Sequence, residues 1–265
     1  MHDTVLLARD GPVATLTLNR PDVLNVLDVA MVDALAAHAL ALAADREVRV
    51  VIVAGAGPHF MAGGDVRMFA SLAHLPPAER TARFEQFIVP LHGVLEQLVR
   101  LPQPLIARVH GACAGFGLSL MAACDLAIAA DDAYFTTAYR HIGLTPDGSG
   151  TWFLPRIVGP RKAMELVLLS PRLAAPEALA IGLINKVVPG AELDAAVASA
   201  ANSLATGPAL AIANAKRLLR GSLDRSLPEQ LAAEAASIAQ CAGTTDFVEG
   251  VTAFVAKRPP KFGGT

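Results

Sequence analysis

Cysteine is scarce in this chain: Cys113, Cys124 and Cys241 are the only three in 265 residues. Their odd number and scattered, mostly apolar settings exclude a disulfide framework and a cysteine-ligated zinc site, and read as reduced, buried thiols. Charge is scarce too, at 17% of residues against 53% hydrophobic. Such a chain can bury a large core and is far from disordered. It also leaves too few charges for a monomer's surface, so part of the apolar excess is expected in subunit contacts. The net charge is −2 and there is no basic run, which disfavours nucleic acid and anionic membranes as partners. The longest apolar run, Gly111 to Cys124, is too short and too glycine-rich to span a bilayer, and Asp125 closes it. The opening MHDTVLLARDG has acidic residues and no cleavable apolar core, so no signal peptide is expected and a cytoplasmic protein is.

Three familiar motifs are missing as well. No Gly-Lys-Ser/Thr ends a phosphate loop. The run Gly115-Phe116-Gly117-Leu118-Ser119-Leu120 lacks the third glycine of a dinucleotide fingerprint. Ser119 is not in a nucleophile elbow, because Met121 stands where the second glycine belongs. With no ligand cluster and no nucleotide fold, neither a metal nor a redox cofactor is expected.

What is present is organised around residues 104–125. An apolar strand (Leu105 to Val109) leads through a glycine-rich turn (Gly111 to Gly117) into a wholly apolar helix starting near Leu118. Such a turn exposes backbone N–H groups at a helix N-terminus, where a negative oxygen is favoured. Gly55 to Asp65 (GAGPHFMAGGD) is a second turn of the same kind, after the buried strand Arg49 to Ala54 and before a short helix. One amide from each turn, aimed at one carbonyl oxygen, would stabilise an enolate or tetrahedral oxyanion. Taken singly, each is as well explained as a tight strand-to-helix turn.

Elsewhere, Thr4 to Arg9 and Val13 to Leu18 flank Asp10-Gly11 as a hairpin, and Asp28 caps a helix through about Ala44. A long helix from Ala78 to Arg100 is expected to be interrupted near Pro90. Leu126 to Ala130 is a further strand, followed by a looser segment carrying Tyr139, His141 and Asp147. From Arg161 onward the chain reads as almost all helical, with Ile184 to Val188 the one strand. The expected division is a core at residues 1–190 and a C-terminal helical region at 191–265, packed as one unit. Trp152 and Phe153 read as core anchors of the helix after Asp147.

In combination these segments resemble a known family. Asn19-Arg20-Pro21, Phe60-Met61-Ala62-Gly63-Gly64-Asp65, Gly111-x-x-x-Gly115-x-Gly117 with Cys124-Asp125, and Gly143-Leu144-Thr145-Pro146-Asp147-Gly148-x-Gly150-Thr151 are similar to the enoyl-CoA hydratase/isomerase (crotonase) superfamily. So is the ending Glu249-Gly250-Val251-x-Ala253-Phe254-x-x-Lys257-Arg258. The resemblance covers essentially the whole chain. It implies an α/β fold, a spiral of ββα units with a C-terminal helical region that builds trimers or pairs of trimers, and acyl-CoA thioester substrates. Coenzyme A then enters as part of the substrate, with no cofactor besides. By the family pattern, the N–H groups of Gly64 and Phe116 hold the thioester oxygen. Val23, Leu24, Ala62, Asp65 and Val66 match positions that line the CoA moiety, and Phe254 and Lys257 match residues that reach a neighbouring subunit's CoA.

The departures from the pattern bear on the chemistry. Hydratases of the family carry two glutamates that position and activate water. Here Ser119 and Tyr139 stand at those places, and a hydroxyl's pKa is too high for that proton work. One carboxylate remains, Asp147, in a segment resembling the subgroup of double-bond and ring isomerases that act on phenylacetyl-CoA-derived and enoyl-CoA substrates. A single carboxylate suits a 1,3-proton shift, and burial beside Tyr139 is expected to raise its pKa. Apart from the resemblance, Pro146-Asp147-Gly148 is an ordinary turn tripeptide. Two alternatives stand beside the isomerase. His92, Tyr139 and Asp147 also fall where CoA-dependent aryl dehalogenases place a base, an aromatic partner and a nucleophile. Those enzymes sandwich the ring with aromatics where this chain has Gly64 and Leu91, though Phe84 is retained. The other alternative is a CoA-ester binder with weak or no hydratase activity. Residues 68–85 are marked as a lid over the acyl group.

Overall fold

The computed structural model describes residues 3–263. The hairpin forms where Asp10-Gly11 marks it, from β1 (Val5–Asp10) and β2 (Val13–Leu18) in antiparallel register. Helix α1 (Val29–Ala44) starts as its cap dictates, since the Asp28 carboxylate accepts the Met31 N–H at 2.8 Å. The apolar run at 50–55 is β3 (Val50–Gly55), parallel to β2 and covered on both faces. Then come α2 (Val66–Leu72), α3 (Pro77–Arg100), β4 (Leu105–Val109), β5 (Ala112–Ala114) and α4 (Phe116–Ala123). The last has every one of its residues buried. Strands β6 (Leu126–Ala130) and β7 (Tyr134–Thr136) lead to α5 (Gly150–Leu169), which is broken at Gly159.

Two sheets result. The larger has the order β1-β2-β3-β4-β6-β9, all parallel after the hairpin, with β9 at Lys186–Val188. The smaller joins β5, β7 and the two-residue β8 (Leu173–Ala174), which precedes α6 (Ala175–Ala180). The chain repeats one pattern three times: a strand in the large sheet, a short extended stretch in the small one, then a helix. Met61, Cys113 and Phe135 are the aligned residues of the short stretches, through a Met61–Cys113 bridge and the β5–β7 register.

One face of the large sheet carries the main apolar core, under α1, α3 and α4. The other is sealed by α7 (Leu193–Ala205), whose Leu193, Val197 and Ala201 pack on Val50, Ile106 and Ile128. Thus the first helix of the region expected from residue 191 lies on the sheet itself. Helices α8 (Ala209–Gly221), α9 (Leu227–Ala242) and α10 (Thr245–Val255) follow.

Three local expectations are corrected. Helix α3 runs unbroken through Pro90, and the proline and Gln86, whose carbonyl it leaves without its helical donor, both lie on the exposed side, where the loss of that bond is tolerated. The turn expected at 111–117 contains β5, too short to leave a periodicity. Trp152 is no core anchor: it is 45% exposed and covered by the Arg156 guanidinium at 3.3 Å, while Phe153 does pack against the core.

Candidate active site

The parallel spiral brings the two glycine turns into contact. Gly64 and Phe116 each follow their aligned residue by three positions (61 to 64, 113 to 116), so they sit at the same level of neighbouring turns. The bonds Met61 N to Ala112 O and Ala114 N to Met61 O, both 2.9 Å, lock that level. Gly63 holds a φ of 100°, which L side chains rarely adopt, and a methyl there would press on the Ala114 carbonyl at 3.3 Å, so glycine suits the close passage of the two turns. Among the described residues, neither the Gly64 N–H nor the Phe116 N–H has an acceptor within the chain. Phe116 opens α4, where the helix provides no partner for its amide and adds positive partial charge.

The Asp147 loop closes over the start of α4. Ser119, buried, donates its hydroxyl to the Asp147 carbonyl at 2.9 Å. Gly148 and Gly150 press on the Phe116 ring and on Ser119 Oγ, where added methyls would come within 2.5 and 2.7 Å. The Tyr139 hydroxyl donates to Asp147 Oδ1 at 2.5 Å and lies 3.3 Å from Ser119 Oγ. His92, on the exposed side of α3, accepts the Gly148 N–H on Nε2 at 3.3 Å. So Asp147, Tyr139, Ser119 and His92 meet at the start of α4, where Gly148 touches the Phe116 ring.

Asp147 is half-buried, and burial raises its pKa above the ordinary carboxylate value. The Tyr139 hydrogen bond and nearby His92 oppose that rise. The rise expected from burial is therefore present, and the Tyr139 hydroxyl works against it by stabilising the anion. The tyrosine itself is pushed far above its usual range, by burial first and then by the Asp147 charge, and stays a donor.

The residues expected along CoA divide into two groups. Ala62 N donates to Leu24 O at 3.0 Å, and Leu27 bridges Gly64, which draws residues 23–24 to residues 62–66. Leu24 and Val66 face solvent there, 41% and 52% exposed. Asp65 serves the local structure, capping α2 through the Arg67 N–H at 3.0 Å and pairing with Arg20 at 3.3 Å. Phe254 and Lys257 stand apart at the end of α10, which packs mainly on α9, and Phe254 is 85% exposed. His59 holds the Ala112 N–H at 3.1 Å, and His110 sits between Arg108 and the Gly57 carbonyl, so both are structural. Among the described residues no group of three or more His, Cys, Asp or Glu could hold a metal, and no single helix is long and apolar enough to cross a membrane.

Phe69 went unnoticed in the sequence. Its ring covers Gly64, 2.7 Å from where a methyl there would be, and packs on Phe84 with centroids 5.0 Å apart. A phenylalanine at each end of the expected lid was the available signal.

Known proteins share this arrangement. The pattern defining the family "Enoyl-CoA hydratase/isomerase" matches residues 8–265. A Rhodobacter capsulatus protein named a probable enoyl-CoA hydratase is 38% identical over 255 residues, 95% of each chain. The 1,2-epoxyphenylacetyl-CoA isomerase of Escherichia coli is 35% identical over 264 residues, 100% of each. Among solved structures, an enoyl-CoA hydratase from Mycobacterium smegmatis superposes with a TM-score of 0.91 at 33% identity, covering 98% of this chain and 99% of that one. With the crotonase spiral, the apposed glycine turns and relatives matching from end to end, this chain belongs to the enoyl-CoA hydratase/isomerase family.

Proposed function

We propose that the protein shifts a double bond in an unsaturated acyl-CoA, with Asp147 as the acid/base and the amides of Gly64 and Phe116 as the oxyanion donors. The observation that carries this is the Asp147 carboxylate clamped by Tyr139 against the turn that bears the unpaired Phe116 N–H. Asp147 takes a proton from one carbon of the acyl group. The electron pair moves onto the thioester oxygen between the two amides, and the same carboxyl returns the proton at the far carbon of the allylic system. Hydration needs a second carboxylate to hold water. Here the two neighbouring hydroxyls, Ser119 and Tyr139, are occupied with Asp147. The dehalogenase alternative needs His92 as a water-activating base, yet its Nε2 lone pair accepts the Gly148 N–H.

The same reading makes Val23, Leu24, Ala62 and Val66 the CoA-facing edge, with Asp65 shaping it, and the only cofactor the one carried by the substrate. It describes a cytoplasmic enzyme, and the apolar surface of α9 and α10 is the face where three copies join, with Phe254 and Lys257 reaching a neighbour's CoA. The relative named an epoxyphenylacetyl-CoA isomerase supports the isomerase class, though hydratase names are the commoner among the relatives. The test is Asp147→Asn. Turnover of a 3-enoyl-CoA is expected to fall by about 10²–10⁴-fold, with CoA-ester affinity within a few-fold of wild type. Retained turnover would remove Asp147 from the mechanism.

A further inference from the structure

Lys216 and Arg220 on α8 share a single carboxylate, that of Asp125. Lys216 Nζ lies 2.9 Å from Asp125 Oδ2 and donates to the Gln103 carbonyl at 2.9 Å. Arg220 donates to Asp125 Oδ1 and to the Ala123 carbonyl, each at 2.7 Å through Nη2, and again to Oδ1 at 3.1 Å through Nε. An ammonium carries three donors and a guanidinium five. Among the described residues, one Lys216 donor and both donors on Arg220 Nη1 therefore have no acceptor in the chain. The Lys216 side chain is only 8% exposed. Burial holds its pKa down even with Asp125 beside it, so the ammonium is short of negative charge.

Both cations line a cleft of about 800 Å³ between α4, α5 and α8, a size that suits a small organic ligand. The third cation of its wall, Arg156, is paired with Asp224 at 3.1 Å and stacked on Trp152. Three positive charges thus face two negative ones. Most of the remaining wall is apolar, with Met121, Leu126 and Ile157 inside and Leu219 and Leu223 exposed at the mouth. Gly64, Phe116, Tyr139 and Asp147 are not part of it, so the cleft is separate from the candidate active site.

We propose that this cleft is a second ligand site, which binds a monocarboxylate with an apolar chain, such as a free medium-chain acid. Its carboxylate accepts from Lys216 and Arg220, and its chain lies along Met121, Leu126 and Ile157 towards Leu219 and Leu223. One negative charge neutralises the surplus positive one. A dianion overshoots that balance, and a neutral head leaves charged donors buried and unfilled. The inference stands apart from the isomerase reading and fails separately from it.

The test is calorimetric titration of the full chain with octanoate at about pH 8, where an alkyl phosphate is a dianion. One octanoate per chain is expected, bound at least about tenfold more tightly than 1-octanol or octyl phosphate. Lys216→Met leaves Arg220 and Asp125 as a balanced pair and is expected to weaken octanoate at least about tenfold. Leu223→Glu, at an exposed position on which folding does not depend, is expected to weaken it at least about threefold through like charge. Should Lys216→Met fail to fold, Leu223→Glu decides. Saturating octanoyl-CoA is expected to leave octanoate binding unchanged. No binding of octanoate to wild type, octanol bound as tightly, displacement by octanoyl-CoA, or full affinity in Leu223→Glu would each overturn the proposal.

Discussion

Asp147 is held by opposing influences that fix how it titrates. Burial favours its neutral form, and the Tyr139 hydroxyl at 2.5 Å favours the charged one. A base must be ionised to accept a proton, so kcat/KM is expected to fall as pH drops through the raised Asp147 pKa. Tyr139→Phe removes a donor that serves the anion, and the proton is then held more tightly. The acid limb of the pH profile is expected to move to higher pH, with activity on the alkaline plateau reduced less than on the limb. An unmoved limb would show that the hydroxyl only fills space. Two of the residues here were legible because motif and chemistry coincide, in Asp147 and Tyr139. The part played by Ser119 was not, since its bond to the Asp147 carbonyl spans 28 residues and leaves no local trace.

At the level of elements, strand and helix boundaries were readable wherever composition changes sharply. The Asp28 cap and the β3 run each have a local cause. The short stretches Ala112–Ala114 and Tyr134–Thr136 do not, because three residues carry no period and are extended only through their neighbours in the small sheet. The glycines of the Asp147 loop separate backbone strain from crowding. Gly148 and Gly143 both have positive φ, at 57° and 71°, yet a methyl at Gly148 strikes the Phe116 ring and one at Gly143 meets open space. Gly143→Ala is expected to cost about 1 kcal/mol, and Gly148→Ala about 2–3 kcal/mol together with most of the activity. Urea unfolding of the two variants, read beside their turnover, checks this, and equal costs would refute it.

For the molecule as a whole, the C-terminal helices are fastened to the sheet by charge as well as by apolar packing. Lys216 and Arg220 on α8 reach Asp125 at 2.9 and 2.7 Å, and Asp125 also accepts the Leu105 N–H at 2.8 Å. Only 8% of the Lys216 side chain is exposed; burial pushes its pKa down, and Asp125 opposes that. These groups line a cleft of about 800 Å³ between α5 and α8. Asp125→Ala leaves a buried ammonium without its partner and is expected to cost about 3–5 kcal/mol. Arg9→Ala, which breaks exposed, solvent-screened pairs with Asp45 and Glu47, is expected to leave the unfolding midpoint close to wild type. Chemical denaturation of both variants is the measurement, and similar costs would contradict the argument. Leu227, Ile238, Phe254 and Val255 are each more than two-thirds exposed. For the proposed trimer, sedimentation is expected to give three times the mass of one chain, and Val251→Asp on the same helix to lower it; a wild-type monomer would refute the assembly.

The sequence by itself determined the family and the places of the longer strands and helices, because glycine spacing, caps and apolar runs act on residues close along the chain. Only the tertiary structure decided that Gly64 and Phe116 share one level, that the Tyr139 hydroxyl bonds the Asp147 carboxylate, and that Phe69 covers Gly64. Each of those follows from parallel pairing between segments tens of residues apart. Nothing in a local stretch encodes which residues such pairing will set side by side.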